Sequence, residues 1–98
     1  MKLRFTRRAV QDLADIASYL RSRSPRGAAN VRAAIFDSLQ ILSEFPFAGH
    51  VQSVENVRKI VTRKYAYLIY YEISLAGDAI VVITIQHSSR RREFEDDC

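Results

Sequence analysis

The chain has 98 residues, 48% of them hydrophobic and 27% charged, which suits one small domain with a modest core and leaves no room for a second. Its formal charge of +4 is unevenly spread: residues 1–92 hold 15 basic and 7 acidic side chains, net +8, and Glu93, Glu95, Asp96 and Asp97 make an acidic C-terminal tail over residues 93–98. The single cysteine, Cys98, excludes an intrachain disulfide and a cysteine metal cluster, and no apolar leader or run of about eighteen apolar residues is present, so the expected location is the cytosol, with no membrane contact.

Along the chain, Leu3 and Phe5 flank Arg4 as in a short strand, and Thr6 offers an N-cap oxygen. Ala9, Leu13, Ile16 and Leu20 then recur at helical spacing, widened by Val10 and Ala17, with Arg7, Arg8, Gln11, Asp12, Asp15 and Arg21 mostly on the other side. The segment "RSRSPRG" predicts a tight break, because the residue before Pro25 resists helical geometry while Ser24 and Pro25 suit the cap and first position of a new helix. Ala28, Val31, Ile35, Leu39 and Leu42 line that second helix, with Phe36 and Ile41 at its margins, and "FPFAGH" ends it. Phe45 and Phe47, flanking Pro46, are expected to close the core.

The rest reads as strands. Val57–Thr62 is followed by "YAYLIYYEI", with Tyr65, Tyr67, Ile69, Tyr71 and Ile73 on one face and Leu68 and Tyr70 on the other. Ala76-Gly77-Asp78 supplies a turn, and "AIVVITI" is apolar enough for a central strand. The predicted class is α+β: an N-terminal strand, then a helical hairpin packed on a twisted antiparallel sheet, in the order β-α-α-β-β-β.

Several chemistries are not supported. The three glycines lie in separate turns, so no phosphate loop forms; His50 and His87 lack partners at metal-ligand spacing, so no metal or other cofactor is expected; no serine occupies a strand-to-helix elbow. A cationic constellation remains. Arg58, Lys59, Arg63 and Lys64 sit in and after the second predicted strand, and His87 with Arg90, Arg91 and Arg92 leaves the last one, so neighbouring strands would bring some of them to one edge beside Tyr65 and Tyr67. Cations beside aromatic rings hold phosphates and stack bases. The plain alternatives are a solvated charged face and tyrosines that only pack the sheet.

The segments "RRAVQDLADIASYL", "SPRGAANVRAAIFDSLQILSEFPFAGH", "VRKIVTRKYAYLIYYEI" and "IVVITIQHSSRR" together resemble the RelE/ParE superfamily of toxins from bacterial type II toxin–antitoxin modules, over residues 3 to 91. The resemblance implies a small cytosolic toxin neutralised by a ParD-like antitoxin with an acidic C-terminal segment, in a hetero-oligomeric complex. It leaves two activities: metal-independent cleavage of messenger RNA on the ribosome in the RelE-like branch, and poisoning of DNA gyrase, without nuclease activity, in the ParE-like branch. The ribonuclease branch commonly carries a phosphate-bracing arginine ahead of the middle-strand tyrosine, at the place Tyr67 takes here before Tyr70. The wording is closer to ParE, which makes gyrase inhibition the primary expectation and ribonuclease action the alternative. Under the first, Arg58, His87, Arg90 and Arg91 are the target-binding candidates; under the second, His87, Arg63, Arg90 and Glu55 are the catalytic ones. Tyr19, Phe36, Tyr65 and Tyr67 are the candidates for antitoxin contact, in a groove expected between the hairpin and the sheet.

Overall fold

Two hydroxyl caps organise the helical half of the molecule, whose computed structural model describes residues 1–89. Strand β1 (Lys2–Phe5) ends at Thr6, which is extended (φ −68°, ψ 162°) and accepts from the Ala9 N–H at 3.1 Å. The same hydroxyl donates to the Ile83 carbonyl at 2.6 Å, so helix α1 (Arg7–Arg23) begins already fastened to the sheet it covers. Ser24, held extended ahead of Pro25, closes α1 and caps α2 (Pro25–Glu44) by accepting from the Gly27 N–H at 3.0 Å.

The apolar stripe of α1 faces the core as expected, with Ala9 buried and Leu13, Ile16 and Leu20 packed around it. Two positions differ from the expectation. Val10 is 56% exposed and does not widen the stripe, whereas Asp12 turns toward the sheet, where its carboxylate accepts from the Ile85 N–H at 3.1 Å and from the Thr84 hydroxyl. Helical rotation explains it: Asp12 follows Ala9 by three residues and precedes Ile16 by four, which puts it on their face.

The sheet comprises β1, β2 (His50–Val51), β3 (Arg58–Val61), β4 (Tyr67–Ser74) and β5 (Ala79–His87) in the spatial order β1-β5-β4-β3-β2. The predicted α+β architecture forms, with one two-residue strand, β2, added to it. All neighbours are antiparallel except β1 and β5, whose parallel pairing is made possible by the long crossover through both helices.

β4 is the buried centre. Its Tyr67, Ile69 and Tyr71 join Val31, Ile35, Leu39 and Leu42 in the main core under the helices, while Leu68 and Tyr70 form a smaller cluster with Val57 and Ile83 on the other side. The expected division of faces therefore holds from Tyr67 onward. A bulge opposite Tyr70 and Tyr71 leaves Ile83 unopposed in β5, so that Val82 and Ile85 both reach the main core. Among the described residues no helix is long and apolar enough to cross a membrane.

Candidate functional site

The β3–β4 connection is a locked turn that presents cations. Thr62 N–H donates to the Tyr67 carbonyl at 2.9 Å, its hydroxyl donates to the Lys64 carbonyl at 2.6 Å, and Tyr67 N–H returns a bond to that hydroxyl at 3.0 Å. Tyr65 and Ala66 are left-handed, with φ of 70° and 51°, a conformation that side chains other than glycine and asparagine adopt at a cost of roughly 1–2 kcal/mol each. Tyr65 therefore lies in the turn, contrary to its expected place in the strand, because its φ cannot continue the pleat. Arg63, Lys64 and Tyr65 are all exposed, and their side chains make no hydrogen bond, ion pair or ring contact among the described residues.

The end of β5 lies beside this turn. Tyr67 opposes His87 in the β4–β5 register, and Ser88 N–H donates to the Ala66 carbonyl at 2.9 Å. The exposed His87 ring stands edge-on to the Tyr67 ring, with centroids 5.2 Å apart and planes at 81°. Its Nδ1 accepts from the Ser89 N–H at 3.1 Å and lies 2.8 Å from the Ser89 hydroxyl, which leaves Nε2 to carry the proton of the neutral ring.

Behind His87 a cavity of about 510 Å³ runs between α1 and the sheet, lined by Asp12, Asp15, Tyr19, Tyr67, Gln86 and Ser89 among others. Burial lifts the Tyr67 phenol above its ordinary pKa, and the neighbouring Tyr19 phenol adds to the effect. Tyr19 is itself covered by the Arg23 guanidinium at 3.9 Å. Asp12, Asp15 and Gln86 were not legible as site residues; the one available signal was that Asp12 falls on the apolar helical stripe.

At the far end of the same hairpin Arg58 is occupied. It opposes Tyr71 in register, donates from Nη1 to the Gly49 carbonyl at 2.9 Å and the Phe47 carbonyl at 3.4 Å, and lies 5.0 Å from the Phe47 ring. Tyr71 completes the clasp: its hydroxyl donates to the Pro46 carbonyl at 2.8 Å and accepts from the Gly49 N–H at 2.9 Å. Phe45 and Phe47 do not close the core as expected; they are 62% and 64% exposed, because the clasp holds the loop by its backbone and turns the rings outward.

The expected target-binding set is thus divided. Arg58 is level with Tyr71 and His87 with Tyr67, a separation of four residues along β4 or roughly 13 Å. Glu55 is exposed in the β2–β3 connection, beyond Arg58 and at the opposite end of the hairpin from His87, whereas Arg63 shares the His87 end. Arg90, Arg91, Arg92 and the acidic tail lie outside the described residues. The antitoxin candidates are dispersed too: Tyr19 and the buried Tyr67 line the cavity behind His87, Tyr65 is at the turn, and Phe36 borders a second groove. That groove, about 460 Å³, runs between α1 and α2 and is walled by Leu13, Ala17, Leu20, Ala28 and Val31, with Arg21 and Arg32 also lining it.

A family model described as ParE toxin of type II toxin-antitoxin system, parDE, matches residues 3–92. The Sinorhizobium fredii protein Y4kP is 29% identical over 90 residues, covering 92% of this chain and 91% of the relative. Among solved structures, the chromosomal ParDE system from P. aeruginosa superposes with a TM-score of 0.74 at 23% identity, covering 89% of this chain and 95% of that one. The intact E. coli RelBE toxin-antitoxin complex gives 0.67 at 21% identity, covering 91% and 98%. The isolated E. coli RelE toxin also gives 0.67, at 20% identity, covering 93% and 87%. The fold is thus that of the RelE and ParE toxins.

Proposed function

The chain belongs to the ParE toxin family of type II toxin–antitoxin systems, and from that membership we propose that it arrests growth by binding DNA gyrase and trapping its cleaved DNA, restrained in the cytosol by a cognate antitoxin. The disposition of the cations is the observation that carries this reading over strand scission. Attack of a 2′-hydroxyl on its neighbouring phosphate calls for a brace and a proton-transfer pair converging on one phosphate. Here Tyr67 takes the brace position and is buried, Arg58 is engaged by the loop at Gly49, and Glu55 belongs to the opposite end of the hairpin from His87. The exposed groups at the His87 end are suited to binding an anionic target.

The P. aeruginosa relative is a ParDE toxin–antitoxin system, and a comparable pairing is proposed for this chain. The apolar groove between α1 and α2 suits the apolar face of an amphipathic helix, and the guanidinium groups of Arg21 and Arg32 favour an acidic one. On this reading residues 1–92 are the toxin domain and residues 93–98 an acidic appendage.

A supercoiling reaction with purified gyrase, run beside a translation reaction in which messenger RNA ends are mapped, tests the proposal. The expected result is loss of supercoiling with accumulation of cleaved DNA and intact RNA. RNA cut at codons with gyrase unaffected would overturn it in favour of the RelE-like activity, with His87 and Arg63 as the first residues to replace.

A further inference from the structure

Tyr65 is the least explained side chain of the described surface. Its backbone is left-handed at φ 70°, where asparagine or glycine would be at ease, and the adjoining Ala66 is left-handed as well. Strain of this kind persists only when surrounding bonds impose it. Those bonds are present: the Thr62 hydroxyl holds Lys64 and Tyr67, and Ser88 N–H holds Ala66. What the turn then presents is a ring 42% exposed that packs on no other ring among the described residues, directly after two exposed cations that have no partner among those residues.

We propose that the tip formed by Arg63, Lys64 and Tyr65 is a DNA contact, in which the two cations take successive phosphates of one strand and the Tyr65 ring stacks on an unpaired base. The inference rests on the gyrase reading for the choice of DNA, and adds to it that the toxin touches the nucleic acid of the complex as well as the enzyme. Three features fit a strand better than a protein surface. The cations form no ion pair among the described residues, which leaves their charge to meet phosphate. The ring is flat, exposed and adjacent to them, the combination that holds single strands with little regard for sequence. The turn is fixed by hydrogen bonds on both sides, so little ordering is left for binding to impose.

The test uses the full chain and fluorescein-labelled single-stranded DNA, duplex DNA and single-stranded RNA of mixed sequence, with anisotropy read across a salt series. Arg63→Ala combined with Lys64→Ala should weaken single-stranded DNA binding and reduce the log–log salt slope by about 1.4, the contribution of two phosphates on a single strand. Tyr65→Asn, which keeps the turn, should weaken binding by about 5- to 150-fold, the range for loss of one stacked base, with the slope unchanged. Lys2→Ala combined with Arg26→Ala removes the same charge from β1 and α2 and should leave the slope within about 0.5 of wild type. Equal losses from the two double variants, an unaffected Tyr65→Asn, or RNA bound where DNA is not, would each overturn the proposal. The supercoiling assay separates this from the parent reading. Tip variants that bind DNA poorly yet poison gyrase as well as wild type does overturn the tip contact alone. Wild type that leaves gyrase untouched removes the ground for choosing DNA and overturns both.

Discussion

At one end of the β3–β4 hairpin Arg58 donates to the Gly49 and Phe47 carbonyls and lies against the Phe47 ring; at the other, the side chains of Arg63 and Lys64 have no hydrogen-bond or ion-pair partner among the described residues. The first end is built around a buried tyrosine hydroxyl that binds both sides of a loop, the second around a strained turn held by Thr62 and by the Ser88 N–H at the end of β5. Cations of one kind, a few residues apart in sequence, are thereby divided into one that holds the fold and two that remain available. Charge and spacing treat them alike, and only the carbonyls that the fold places around each of them separate the two roles.

The sharpest way to break this contrast is at Gly49. A methyl group there would lie 2.5 Å from the Tyr71 hydroxyl oxygen and 2.8 Å from the Lys59 carbonyl, neither of which has room to retreat. Gly49→Ala should lower stability by about 3 kcal/mol, the upper part of the range for an overfilled site, in urea denaturation. A neutral result would mean that the loop is not clasped at all.

Tyr71→Phe follows, at about 2 kcal/mol, because it removes one donor and one acceptor and strands the Gly49 N–H. This phenol also gives a pH signature. Burial raises its pKa above the ordinary 10.0, opposed by the Gly49 hydrogen bond and by Arg58. A pKa higher in the folded state than in the unfolded chain means that the unfolded chain loses its proton first as pH rises. The associated stability is complete below about pH 10 and is lost as pH climbs through the folded value. Denaturation midpoints taken from pH 8 to 11 should fall at the alkaline end, less steeply in Tyr71→Phe; identical slopes would dissociate the phenol from the clasp. Arg58→Ala should cost about 1.5 kcal/mol, the scale of a hydrogen bond to a charged donor, whereas Arg63→Ala should change stability by less than about 0.5 kcal/mol. Equal losses at the two arginines would erase the distinction between the ends.

Local rules carried much of the architecture. Thr6, Ser24 and Pro25 each specify a helix boundary through chemistry confined to a few residues, and the alternation from Tyr67 onward assigns both faces of β4. What escaped depends on partners distant in sequence. Asp12 looks like an exposed helical carboxylate until the Ile85 amide arrives from β5, and Phe45 and Phe47 look like core residues until Tyr71 takes hold of the loop backbone between them. The same limit applies to the site. His87 and Arg63 were legible as polar groups near strand ends, but their shared end, and the exclusion of Arg58 and Glu55 from it, follow from the β3–β4–β5 register, which no local pattern reports.

Tyr65 supplies a small expected energy and the most informative sign. Most substitutions at ordered positions destabilise, yet here the native side chain occupies backbone that disfavours it and packs little of its ring. Asparagine tolerates left-handed φ, so Tyr65→Asn should stabilise the chain by about 0.5 kcal/mol, detectable as an upward shift of the urea midpoint with unchanged slope. A residue whose removal strengthens the fold while weakening DNA binding is serving a partner and not the core, the trade expected where strain is kept at a working surface. A loss of stability in Tyr65→Asn would instead make the ring part of the turn's own support, and would erase the difference between this end of the hairpin and the clasped one.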